Sequence, residues 1–200
     1  MSEPKAIIVA SLPVTRRVID LAVIIPTLNE EAFIGRLLDS IIRQTVAPAE
    51  LIIVDAYSKD KTIQEIKKRQ AKLSSLRYFR IQRSTISRQR NFGVKKTTSP
   101  HLLFLDADME LKDKETLEKY LKEILVKKPD VAAAKNLPDS GFWKDLVYFE
   151  AEDLLFKFAK YVWPVITARN LYVRRKMFDR VKGFDEELLV GEDQELVQRA

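Results

Sequence analysis

The stretch His101-Leu102-Leu103-Phe104-Leu105-Asp106-Ala107-Asp108 joins an uninterrupted apolar run to two closely spaced carboxylates. Leu102 to Leu105 has the length and continuous apolarity of a strand buried on both faces, and Pro100 marks where it begins. In extended chain Asp106 and Asp108 point the same way, and Ala107 leaves room for a ligand. Such a pair suits one hard divalent cation, Mg²⁺ or Mn²⁺, which fills its remaining positions with water and substrate phosphates. The competing reading is that an Asp after a strand simply caps the next helix. The flanking chain has to decide.

Upstream, the combination of strand, acid, polar turn and helix occurs twice. Leu21 to Ile25 is a buried-strand run ended by Pro26, and Asn29 then reads as an N-cap with Glu30 and Glu31 in the first helical turn. Phe33, Ile34, Leu37, Leu38, Ile41 and Ile42 recur at helical spacing and predict an amphipathic helix lying on a sheet. A dinucleotide fingerprint would place glycines at this turn, and there are none. Leu51 to Val54 is the second strand, ending at Asp55, with a helix following through Ile63 and Ile66. Tyr78 to Ile81 is a weaker third strand, interrupted by arginines, and Ser84 to Lys96 reads as a helix with Gly93 disfavouring its middle.

Downstream, Leu117, Tyr120, Leu121, Ile124 and Leu125 form a helical stripe terminated by Pro129, and Val131 to Ala134 can form a fifth strand. This alternation argues for an α/β fold with a mainly parallel sheet, in which ligands bind at the carboxyl ends of the strands. Asp55, Asp106 and Asp108 are expected at that edge. Residues 142–164 break the pattern, holding eight of the eighteen aromatics over more than one helical face. They form either an interface with a membrane or partner, or a long helix gripped on two sides. Beyond Leu171-Tyr172-Val173 a short basic helix runs from Arg174 to Lys182, with Gly183 at its C-cap, and Gln194 to Ala200 begins a last helix. The first twenty residues read as an irregular lead-in, with an edge strand at Ile7 to Ala10.

Composition sets the outer bounds. Two hundred residues, 46% hydrophobic and 32% charged, suit one globular domain. The net charge of +6 favours an anionic partner such as a nucleotide, a phosphate or an acidic membrane surface. Absence of Cys excludes disulfides and thiolate metal sites and fits an intracellular protein. No window is apolar enough for a membrane span and no targeting peptide is visible. His101 is expected to be a strand-edge residue without a catalytic role.

Four separated segments together resemble the family 2 glycosyltransferases of the GT-A fold: Val23-Ile24-Ile25-Pro26-Thr27-Leu28-Asn29-Glu30-Glu31; Leu51 to Asp55 with Ser58, Asp60 and Thr62; Arg90-Asn91-Phe92-Gly93 followed by Phe104 to Asp108; and Lys182-Gly183-Phe184-Asp185-Glu186 with Gly191-Glu192-Asp193. The resemblance implies a Rossmann-like, mostly parallel sheet flanked by helices. It implies one domain over 21–200, with a nucleotide-binding half to about residue 110 and an acceptor-side half beyond it. It also implies a nucleotide-sugar donor: Pro26, Thr27 and Glu30 by base and ribose, Asp55 at the base, Arg90 beside the nucleotide, and Asp106 and Asp108 at the ribose and at a Mg²⁺ or Mn²⁺ ion on the diphosphate. Asp193 matches the general base of inverting members, with Glu192 and Arg169 assigned to the acceptor side. The expected reaction moves a sugar from a nucleoside diphosphate to an acceptor hydroxyl or phosphate, on a saccharide or a lipid-linked acceptor.

The sequence departs from the family pattern after the second strand, where Ala56-Tyr57-Ser58 replaces a second acid and Gly-Ser, and at Lys182, where glycine is frequent. An end inside a helix at Ala200 is expected of a minimal enzyme or a fragment. The expected location is the cytoplasm, with peripheral contact at the membrane's cytoplasmic face through 142–164. Two alternatives stand beside this reading. A nucleotidyltransferase of related fold would need a Gly-rich loop that is missing, and a non-catalytic nucleotide-sugar-binding domain would act through a membrane or partner.

Overall fold

A computed structural model describes residues 16–134 and 169–200. The expected edge strand at 7–10 and the aromatic segment 142–164 lie outside the described residues. Six strands form one sheet: β1 (Arg17–Thr27), β2 (Val46–Asp55), β3 (Leu76–Arg80), β4 (His101–Leu105), β5 (Val131–Ala133) and β6 (Asn170–Arg174). Their order is β3-β2-β1-β4-β6-β5. β3, β2, β1 and β4 are mutually parallel, whereas β6 runs antiparallel to both β4 and β5. The helices among the described residues are α1 (Ile34–Ile42), α2 (Thr62–Gln70), α3 (Ile86–Val94), α4 (Thr116–Lys127), α5 (Arg175–Arg180) and α6 (Glu192–Arg199).

The continuous apolar runs are explained by a core on each face of the sheet. Val23, Ile25, Leu51 and Ile53 pack beneath Leu37, Leu38 and Ile41 of α1, Ile66 of α2 and Leu117 and Leu121 of α4. The alternate residues Ala22, Ile24, Ile52, Val54, Leu102 and Phe104 face Val94 of α3, Met177 and Phe178 of α5 and Leu196 of α6. Gly93 belongs inside α3 for a packing reason: a Cβ there would stand 2.5 Å from Ile24 Cγ2, so only glycine lets the helix lie this close to β1.

Three expectations are corrected. β1 begins at Arg17, inside the supposed lead-in, because Arg17 to Ile19 pair with Val46 to Pro48 of β2. Asn29 is not a helix cap: it adopts the left-handed conformation (φ 58°), its carboxamide oxygen accepts from Lys59 N–H at 2.9 Å, and the helix starts only at Ile34, with Phe33 at its N-cap and no acid in its first turn. Arg174 ends strand β6, and the helix after it is α5. At the C-terminus of α5, Lys182 takes the left-handed position (φ 63°) that glycine commonly holds, while Gly183 follows at φ 77°. Lys182 N–H donates to Asp179 O at 3.1 Å and Gly183 N–H to Phe178 O at 2.9 Å, closing a Schellman turn.

Candidate active site

The strand order reverses at β1: the chain steps outward through β2 and β3, then returns to β4 on the other side. In open α/β sheets this switch point is where ligands bind. The carboxyl ends of β1, β2 and β4 there present Thr27, Asp55 and Asp106.

Asp55 is fully buried, with both oxygens occupied. Ser58 N–H donates to Oδ2 at 3.0 Å, Arg80 Nε donates to the same oxygen at 3.2 Å, and the Ser58 hydroxyl donates to Oδ1. Asp60 secures the next turn by accepting from Glu31 N–H and Thr62 N–H, each at 3.0 Å. Burial alone would raise the Asp60 pKa, but the bonds from Thr62 and Glu31 hold it below the usual range. Tyr57, left-handed at φ 67°, lies under the Arg80 guanidinium, 4.2 Å from its ring centroid. Pro26 and Thr27 are buried at the end of β1, and Thr27 N–H donates to Gln89 Oε1 at 3.0 Å.

Arg90 organises the other side. It lies on the sheet-facing side of α3 and is 1% exposed. Its Nη2 donates to Asp106 Oδ1 at 2.9 Å, and Nη1 donates to Asp193 Oδ1 at 2.6 Å and Glu192 Oε1 at 3.2 Å. One cation thus gathers three carboxylates from β4 and α6. Phe184 and Phe104 flank its guanidinium, 5.3 and 5.9 Å from the ring centroids. The next residue, Asn91, fixes that wall, since its amide donates to Phe184 O at 2.8 Å and accepts from Phe184 N–H at 3.0 Å.

The charge balance is left acidic. Burial pushes Asp193 up to about 7, with Glu192 and Asp106 pushing the same way and Arg90 opposing them. Asp106 is raised by burial against the pull of Arg90, with Asp108 adding repulsion. Glu30 is raised by burial and then by Asp108 and Asp106. Asp108 keeps a side chain 43% exposed, and its ion pair with Arg169, at 3.4 Å, is long.

Asp106 and Asp108 fit a hard divalent cation. Both are oxygen donors, Arg90 and Arg169 only partly offset the burial and repulsion that raise Asp106, and Asp108 is open to solvent. Among the described residues no group of three or more His, Cys, Asp or Glu converges as a metal cage. The pair therefore suits an ion that completes its shell with water and a substrate, rather than a structural ion.

The structure thus brings Arg90, Asp106, Glu192 and Asp193 into direct contact, places Glu30 and Asp108 beside them electrostatically, and sets Arg169 against Asp108. Asp55 sits at the same edge but is committed to its own loop. Gln89 was not singled out by the sequence. Its signal is its position on the buried face of α3 next to Arg90. His101 sits at the opposite end of β4, where Nδ1 is 2.7 Å from the Tyr172 hydroxyl.

The mostly parallel six-stranded sheet with an acid cluster at its switch point has the GT-A architecture. The family model described as "Glycosyl transferase family 2" matches residues 22–181, and the chain belongs to that family. It is 26% identical over 190 residues to the poly(ribitol-phosphate) beta-N-acetylglucosaminyltransferase TarS of Staphylococcus aureus strain Mu50, covering 90% of this chain and 32% of TarS. It is 33% identical over 168 residues to a PGL/p-HBAD biosynthesis glycosyltransferase of Mycobacterium bovis strain BCG, covering 82% of this chain and 62% of the relative. The chain therefore spans about a third of TarS and just under two thirds of the mycobacterial relative.

Among solved structures, S. aureus TarS 1-349 in complex with UDP-GlcNAc superposes with a TM-score of 0.69 at 25% identity, over 90% of this chain and 52% of that one. A mannosyltransferase of Pyrobaculum calidifontis, solved with GDP-Man and Mn²⁺, shares the fold with a TM-score of 0.72 at 21% identity, over 94% of this chain and 52% of that one. No helix among the described residues is long and apolar enough to cross a membrane.

Proposed function

We propose that this chain carries the donor-binding and catalytic core of an inverting, metal-dependent glycosyltransferase. It takes a nucleoside-diphosphate sugar, with a uridine donor favoured by the UDP-GlcNAc bound to TarS. The acceptor is a hydroxyl or phosphate on a saccharide or lipid-linked molecule. The observation that carries this reading is the Arg90 bridge, which ties a diphosphate-side acid, Asp106, to a base-side acid, Asp193.

Asp193 takes the proton from the acceptor hydroxyl as that oxygen attacks the anomeric carbon. The bond from that carbon to the diphosphate oxygen breaks, and the electron pair leaves with the nucleoside diphosphate. Asp106 and Asp108 would hold Mg²⁺ or Mn²⁺, which supplies Lewis-acid stabilisation of the departing diphosphate. Pro26, Thr27, Glu30 and Asp55 shape the nucleoside end, with Asp55 acting through the loop it fixes. Arg90 is a positioning residue that holds Asp193 toward Asp106, and Glu192 and Arg169 border the acceptor side.

A base whose pKa is about 7 is protonated in acid and ionised above neutrality. Transfer should therefore rise with pH through that range and level off above it. In Asp193→Asn, transfer from UDP-GlcNAc to a hydroxyl acceptor should fall by about 10²–10⁴-fold while UDP binding persists. Undiminished transfer by Asp193→Asn would remove the proposed base. Absence of both transfer and donor hydrolysis in the wild-type chain would favour a non-catalytic binding domain.

A further inference from the structure

The two sides of α3 differ in chemistry. Gln89, Arg90, Gly93 and Val94 are buried toward the sheet and the acid cluster, whereas Arg88, Phe92 and Lys95 recur along the opposite stripe. Between that outer stripe and the segment Ile81 to Ser84 lies an open cleft of about 400 Å³. Arg83, Arg88 and Lys95 line it, against one carboxylate, Glu186. Glu186 pairs with Arg88 at 3.0 Å, and Arg83 makes no ion pair or hydrogen bond among the described residues. Ser84 also lines the cleft, and its hydroxyl is a buried oxygen without a hydrogen-bond partner. Phe92 and Ile81 supply apolar wall.

We propose that this cleft binds the phosphate group of a sugar- or polyol-sized phosphate ester, at a site separate from the donor site. Three cations facing one carboxylate leave an excess of positive charge suited to a phosphate near two negative charges. Arginine forks match phosphate oxygens in paired hydrogen bonds. The volume falls in the range of small-molecule sites and exceeds what a bare ion fills, so the apolar wall takes the organic part of the ester. Glu186 competes with the ligand for Arg88, which keeps the site selective for a dianion over weaker acids. Nothing in this site draws on the sugar-transfer chemistry.

The test titrates the full chain calorimetrically with glycerol 3-phosphate and, in a second arm, measures co-sedimentation with phosphatidic acid–phosphatidylcholine vesicles, whose headgroup is likewise a phosphomonoester. The soluble arm reads a free ester and the vesicle arm a lipid headgroup. At least one probe should bind, with affinity falling about tenfold or more in Arg83→Ala/Lys95→Ala and holding in Asp106→Asn. Both altered cleft side chains are exposed, so the fold should persist, and UDP binding by that double variant should match wild type. If neither probe binds, or the double variant binds as well as wild type, or Asp106→Asn abolishes the binding, the cleft is not this site. None of these outcomes bears on the donor reading, which UDP binding reports separately.

Discussion

Two groups of acids share one edge of the sheet and are used in opposite ways. Asp55, at the end of β2, and Asp60, just before α2, have their oxygens filled by backbone amides, hydroxyls and Arg80. They fix the two loops that would frame a nucleoside. Asp106, Asp108, Glu30 and Asp193 are drawn together around β4 and α6 with a single buried arginine to offset them. In the first group the carboxylate oxygens are engaged by fixed donors of the surrounding loops and β3, so the acids are architectural. In the second, burial and neighbouring carboxylates raise Glu30, Asp106 and Asp193, which is the condition of groups that await a proton or a cation.

Removing the arginine should have the largest effect on this contrast. Arg90→Ala leaves three carboxylates facing one another without a counter-ion, and should cost about 3–5 kcal/mol of unfolding free energy in urea titrations. A loss below about 1 kcal/mol would mean that solvent already compensates the cluster. Asp55→Asn should be next, at about 1–3 kcal/mol, because Ser58 and Arg80 lose a charged acceptor while the acid cluster is untouched. Asp108→Asn should have the smallest effect. Relieving its repulsion with Asp106 and Glu30 should leave stability within about 0.5 kcal/mol of wild type, on the stabilising side. If Asp108→Asn destabilised the chain as much as Asp55→Asn, the two groups would not differ.

How much of this was legible in the sequence depended on whether the signal was local. The run Leu102 to Leu105 could only be a two-sided buried strand, and the pairing of β4 with β1 and β6 bears that out. The Asp106/Asp108 pair and Asp55 followed directly from strand ends. The three residues Leu171 to Val173 were too few to separate strand from loop, and their role became plain only through pairing with β4. Asn29 was misread because a left-handed Asn and an N-cap Asn look alike in sequence, while its partner, Lys59 N–H, is thirty residues away. The Arg90 clasp was invisible as a contact, because its carboxylates lie 16, 102 and 103 residues along the chain. The clue was an arginine on the same helix face as Gly93. A cation held that close to a sheet has to find acids there.

The most direct test of the account is calorimetric binding of UDP-GlcNAc to the wild-type chain and to Asp106→Asn/Asp108→Asn, each with Mn²⁺ and with chelator. Wild type should bind in Mn²⁺ and lose about tenfold or more in affinity when the ion is removed, and the double variant should bind weakly and indifferently to the ion. Equal affinity in all four titrations would contradict the assignment of this acid pair to the donor's diphosphate.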